Sequence, residues 1–194
     1  MTTSIAEKIN SIKQEIPPNV RLVAISKYVG IEAMREAYEV GVRDFGENRL
    51  QEALDKQQQL KDLSGISWHF IGHIQKNKAK KIIANFDWIH SVDSMALAKR
   101  LNRLAGELEK TPKVFLQVKI LPDPDKYGWQ VDKLEKDLEQ LSLLQFLDFK
   151  GLMTILPLGL SESETSNAFQ ETKKLAMVVR EENYPNLSMR ELSM

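Results

Sequence analysis

Seven short apolar runs recur along the chain, and a longer amphipathic segment follows each of the first six. "RLVAIS" leads into "IEAMREAYEV", "VRDFG" into "RLQEALDKQQQLKDL", and "SWHFIG" into "NKAKKIIANF". "WIHSV" leads into "SMALAKRLNRLAGELEK", "KVFLQVKI" into "VDKLEKDLEQLSLL", and "FKGLMTI" into "SESETSNAFQETKKLAMVVREEN"; "MRELSM" begins a seventh run. Parallel strands need long crossovers, and helices supply them, so strand–helix alternation of this regularity predicts a parallel α/β fold. A closed (β/α)8 barrel and an open doubly wound sheet both satisfy it. Seven runs rather than eight imply that a closed barrel would have its last strand or strands outside the sequence. With no low-complexity linker and no break in composition, residues 1–194 are expected to form a single domain.

Local signals mark the helices. Ser4 and Glu7 have capping-box spacing at the N-terminus, with Ile5, Ile9 and Ile12 on one face, and Pro17-Pro18 stops that helix. Gly41 is suited to end "IEAMREAYEV", and Ser161 with Glu164 opens the last long helix with a second capping box. "PDPDKYGW" reads as a turn-rich loop.

Composition then narrows the chemistry. Lys+Arg and Asp+Glu each number 27, so no overall basic field draws the chain to nucleic acid or to anionic membrane. Cysteine is absent, which removes disulfides, thiolate metal sites and cysteine nucleophiles. No secretory signal and no membrane-length apolar window is present, so a cytoplasmic location is expected. The spacing of His69, His73 and His90 contains no i, i+4 pair, so no metal is expected. A Walker phosphate loop is also missing.

Parallel α/β folds gather function at the C-terminal ends of their strands. Those positions hold Ser26-Lys27, Gly46-Glu47-Asn48, Gly72-His73, His90-Ser91, Met153-Thr154 and Ser193. Lys27 is the unusual one. It follows Val23-Ala24-Ile25, which reads as a buried central strand, and lysine is among the side chains least often buried. A lysine emerging into water at a strand end is the ordinary explanation. A helix N-cap is the ordinary role for Asn48, core filling for Met153, and a solvated helix face for "QKNKAKK". The chemical alternative for Lys27 is attack on an aldehyde, with its stem along apolar surface and its amine in a pocket. An aldehyde substrate and an aldehyde cofactor are equally open on these grounds.

"LVAISK", "RDFGENRLQEA", "WHFIGHIQKNK", "IHSVDS", "KYGW" and "GLMTI" occur in the order and spacing of the YggS/PROSC family of pyridoxal-phosphate homeostasis proteins, which the chain resembles from about residue 20 onward. That family is similar to the N-terminal barrel of alanine racemase, so the resemblance implies a TIM-type α/β barrel. It also implies pyridoxal 5'-phosphate (PLP) as cofactor and a role in vitamin B6 and amino- and keto-acid balance, with no established catalytic turnover. By position, Lys27 corresponds to the Schiff-base lysine, Asn48 and Met153 to pocket residues, Ser193 to a phosphate-side contact, and Ser91 to a further contact. Lys119 stands where the family has Asn, and Leu156 where it has Pro. Family members continue past "LSM" with a "GMS" segment and a "VRIG" strand that supplies further cofactor contacts.

The partners that follow are PLP itself and, transiently, apo-enzymes that receive it, with no nucleic acid or membrane and a monomeric chain. A racemase-like enzyme is the alternative, but it needs acid–base groups on both faces of the substrate carbon. A cofactor-free Schiff-base aldolase is the third possibility, and the family resemblance counts against it.

Overall fold

The computed structural model describes residues 4–194. Contacts divide the chain into two compact units, Met1–Ile71 and Gly72–Met194.

The first unit opens with α1 (Ile5–Glu15), whose N-cap Ser4 and N3 residue Glu7 form the expected reciprocal capping box. The chain leaves α1 at Ile16, just before Pro17-Pro18. Ile9 is buried, while Ile12, expected on the same apolar face, is 42% exposed. Then come β1 (Ala24–Ile25), α2 (Ile31–Glu39), β2 (Asp44–Glu47), α3 (Leu50–Gln59) and β3 (Ser67–Phe70). The β1–β2 and β2–β3 pairings are parallel. Gly41 takes φ +85 just beyond α2, the left-handed conformation that ends helices cheaply when no Cβ is present. The core joins Ile9, Met34, Ala37, Val42, Phe45 and Leu60.

One expectation fails here. Val23-Ala24-Ile25 is not a buried central strand: β1 is two residues long and Ile25 is 47% exposed. Ile25 instead rests its side chain against Gly46 of β2, where an added Cβ would come within 2.8 Å of the Ile25 Cδ1. A short run that covers one glycine on its neighbour does not need burial on both faces.

The second unit holds α4 (Ala79–Asn85), β4 (Trp88–Val92), α5 (Met95–Glu107), β5 (Lys113–Lys119), β6 (Trp129–Gln130), α6 (Val131–Ser142), β7 (Asp148–Met153), α7 (Glu162–Glu181) and β8 (Leu187–Ser193). Its pairings, β4–β5, β5–β6, β5–β7 and β7–β8, are all parallel. Ser161 and Glu164 cap α7 as expected. "QKNKAKK" is helical only from Ala79, the preceding residues forming a turn. The loop "PDPDKYGW" ends in a strand that the sequence pattern does not announce. Gly128, at φ +129, brings the backbone so close to the Gln117 carbonyl that a Cβ would lie 2.9 Å from it, and Trp129 then pairs with Val118. Trp129 is buried and donates its indole N–H to Asp137 Oδ2 at 2.8 Å. Among the described residues, no helix is long and apolar enough to cross a membrane.

The β7–β8 pair depends on one glycine. A Cβ on Gly151 would fall 1.6 Å from the Glu191 carbonyl oxygen, inside any allowed contact. The register shifts between Phe149 and Gly151, and Met189 across from this region takes φ +45. Beyond the irregularity the pairing resumes and sets Met153 beside Ser193.

Candidate functional site

Lys27 lies in a turn rather than at the end of a packed strand, and it is exposed. The Val29 N–H donates to the Ser26 carbonyl at 2.9 Å, closing a four-residue turn with Lys27 and Tyr28 at its centre. Tyr28 has φ +61, the conformation that a type II turn asks of its third residue and normally assigns to glycine. Placing a tyrosine there costs about 1–2 kcal/mol, which the surrounding structure must offset. The Arg49 guanidinium sits 5.1 Å from the Tyr28 ring centre. A lysine is tolerated here because water reaches it, not because its stem lies along a packed strand.

Side chains from β2 and α3 lock that turn. Lys56 donates to the Ser26 carbonyl at 2.6 Å and to Glu47 Oε1 at 2.6 Å. The Ser26 hydroxyl donates to the same carboxylate oxygen at 2.8 Å. Glu47 is fully buried and the Lys56 side chain is 12% exposed, so this is a buried ion pair. Glu47 Oε2 is buried with no hydrogen-bond partner. Asn48 is in the same condition: its Oδ1 is buried and unpartnered. Nor does Asn48 cap a helix, since the N-cap of α3 is Arg49.

A second group of predicted residues lies in the unit Gly72–Met194. Met153 is 4% exposed and packs with Trp88 and Phe115. Its strand neighbour Ser193 shares a 2.7 Å hydrogen bond with Nδ1 of His90, a largely buried side chain on β4. If Nδ1 carries the proton, the Ser193 oxygen accepts it and keeps its own proton to donate elsewhere. Ser91 is 1% exposed and its hydroxyl donates to the Gly72 carbonyl, so its proton is already committed. His73 bonds Asp93 at 3.2 Å and stacks on Tyr127 with ring centres 3.7 Å apart, which draws "GHIQ", "VDS" and "KYGW" together. Among the described residues no cluster of three His, Asp or Glu side chains could hold a metal ion.

Thus the structure brings Lys27 and Asn48 to the adjoining ends of β1 and β2, and Met153 and Ser193 to the paired ends of β7 and β8, with His90, in the middle of β4, hydrogen-bonded to Ser193. Glu47 stands among the strand-end positions the sequence marks but is assigned no role there, and Lys56 is not among them. A signal for Lys56 existed: it follows Ala53 by three residues, on the buried face of α3 that carries Leu50 and Ala53.

Within the first unit an exposed primary amine and a buried amide oxygen lacking a partner suit a ligand with an aldehyde and a polar substituent. Within the second, a hydroxyl hydrogen-bonded to an imidazole suits an anionic oxygen.

Comparison with known proteins identifies what the chain is similar to. The family model described as "Alanine racemase, N-terminal domain" matches residues 2–194. A pyridoxal phosphate homeostasis protein of Synechocystis sp. is 50% identical over 179 residues, spanning 92% of this chain and 81% of that protein. PipY of Synechococcus elongatus, solved with PLP bound, superposes with a TM-score of 0.94 at 49% identity, covering 98% of this chain and 88% of PipY. An alanine racemase of Clostridium difficile shares the fold alone, with a TM-score of 0.79 at 14% identity, over 98% of this chain and 50% of the racemase.

Proposed function

The chain belongs to the alanine racemase N-terminal domain family and, within it, to the pyridoxal phosphate homeostasis proteins, and from that premise we propose that it is a PLP-binding protein of vitamin B6 balance. The observation that carries this is the Ser26–Val29 turn, which presents an exposed Lys27 just after β1, while Asn48, with its buried Oδ1 unpartnered, follows the paired strand β2. PLP, when bound, supplies an aldehyde that takes up a primary amine, on an electron-withdrawing ring bearing a phosphate. Lys27 is the residue that holds the aldehyde carbon, and Asn48 offers a polar contact that the protein itself leaves unmet. With the proton on His90 Nδ1, Ser193 is free to offer its own hydroxyl proton to an anionic oxygen, with Met153 as apolar surface and Ser91 as a buried support. The single-domain arrangement, the cytoplasmic location and the monomeric state are part of the same proposal. So is transient delivery of cofactor to apo-enzymes.

Borohydride reduction of the PLP-loaded protein, followed by peptide mass spectrometry, tests the assignment. The pyridoxyl group is expected on Lys27, and finding it on Lys76 or Lys126 would defeat the proposal. Lys27→Ala should lose both trapping and the visible absorbance of the loaded protein. Because Lys27 is exposed, its unfolding free energy should stay within about 0.5 kcal/mol of the parent.

The role is storage and delivery rather than turnover. Racemization requires acid–base groups on both faces of a substrate carbon; at the turn the exposed amine is Lys27, and the other, Lys56, is engaged by the Ser26 carbonyl and Glu47. Pure loaded protein is therefore expected to leave L-alanine unconverted over hours. Formation of D-alanine in proportion to bound PLP would replace this reading with a racemase.

A further inference from the structure

We propose that Glu47 and Lys56 are positioning residues for Lys27, acting through the Ser26 carbonyl to keep cofactor attached; the inference rests on the assignment of Lys27 as the attachment point.

A buried ion pair is usually a poor device for stability, since the desolvation of both charges offsets most of their attraction. This pair is also incompletely satisfied, with Glu47 Oε2 buried and unpartnered. What it does accomplish is local. The carbonyl of Ser26 is the hub of the turn, accepting from Val29 N–H at 2.9 Å and from Lys56 Nζ at 2.6 Å. Lys56 is anchored in turn by Glu47 Oε1, which also takes the Ser26 hydroxyl at 2.8 Å. Both hydrogen-bonding groups of Ser26 beyond its N–H are therefore held by one ion pair, and that N–H is itself donated to the Gly46 carbonyl at 2.9 Å. The residue before Lys27 has no freedom left.

The residue after Lys27 is strained. Tyr28 at φ +61 would relax to an ordinary conformation if the turn were released, and β1, only two residues long with Ile25 47% exposed, offers little packing against that release. Strain of this kind persists only where neighbouring interactions over-determine the backbone, and Glu47–Lys56 is the interaction that does so here. A lysine on a flexible stem in a loose turn would hold an aldehyde poorly, because the orientation of the amine would have to be fixed anew each time. Fixing the backbone on both sides of Lys27 limits that search to its own side chain.

The test compares PLP-loaded parent with the Glu47→Gln/Lys56→Met pair, which removes both charges together and leaves no uncompensated ion. Three quantities are read: PLP release rate on dilution into a scavenger, the rate of borohydride trapping with its site located by mass spectrometry, and folding by circular dichroism. Expected is a folded protein whose PLP leaves about tenfold faster and is trapped more slowly, with the pyridoxyl group still on Lys27. Lys56→Arg keeps a cation and its donors and should recover most of the retention. Parental release and trapping rates in the folded pair would overturn the proposal, because a merely structural ion pair would leave both unmoved. Ser26→Ala, a smaller change, removes one bond to Glu47 and should release PLP roughly threefold faster. If the pair does not fold, parental release from Ser26→Ala overturns the proposal instead. Failure of the underlying assignment looks different: the parent itself would carry the pyridoxyl group on a lysine other than Lys27.

Discussion

The strand ends at β1–β2 and those at β7–β8 solve the same problem by different physics. At β1–β2 the strand is two residues long, the turn beyond it is strained, and a buried Glu47–Lys56 ion pair holds it. At β7–β8 the strands run for six and seven residues, and the pairing is held by backbone contact so close that position 151 admits no side chain. There the polar contact is the His90–Ser193 hydrogen bond rather than a carboxylate–ammonium pair. A strand with ample pairing positions a side chain through its own ladder, and a strand without it needs an ionic clamp. Removing charge should therefore affect the first region, and adding volume the second.

The largest effect should come from volume. Gly151→Ala drives a methyl group into the Glu191 carbonyl, and a loss of about 4 kcal/mol or more, or failure to fold, is expected in urea unfolding. A loss below about 1 kcal/mol would mean that β8 can shift away from β7 at little cost, and the contrast would fall.

Next comes charge. Lys56→Met strands the Glu47 carboxylate, at 0% exposure, without its counter-ion, and about 3–5 kcal/mol should be lost. Neutralising both partners should restore most of it, so a double-mutant cycle over Glu47 and Lys56 measures the clamp directly. If the single substitution is as mild as the double, the carboxylate is not as isolated as its burial indicates.

The smallest effect separates charged from neutral partners at the surface of each unit. The Asp62 carboxyl is held below its ordinary value of 3.8 by its hydrogen bonds to Arg35, and that of Glu164 below 4.5 by the Ser161 hydroxyl of the α7 capping box. A depressed carboxyl contributes stability that is present above its ordinary value and is lost as pH falls through the lowered one. Both contributions should therefore fade only in acid, below about pH 4.5 for Glu164 and about pH 3.8 for Asp62. Raising the salt concentration should bring Asp62 back toward its ordinary value and leave Glu164 nearly unmoved. Carboxyl titration by NMR at low and high salt gives the comparison, and equal salt responses would contradict it.

Much of this was legible in the residues. Strand–helix alternation, both capping boxes, the Gly41 helix end and the segments carrying the family resemblance all rest on short-range chemistry, which spacing records. β6 was not legible. Its two residues pair with β5 only because Gly128 lets the backbone approach Gln117, an event between residues eleven apart that no local pattern encodes. The exposure of Ile25 was misjudged for a related reason. An apolar run states a preference for burial, whereas the neighbours actually available to β1 decide how much burial occurs.

Lys27 shows where the division falls. Its type and its place after an apolar run, within a set of ordered motifs, were enough to single it out as an amine for an aldehyde. The strained turn, the double acceptance by the Ser26 carbonyl and the clamp formed by Glu47 and Lys56 arose only when α3 packed beside β2. An amine's chemistry is a property of one residue and is written in the sequence. Its orientation depends on distances among residues up to thirty positions apart, and only the folded chain sets those.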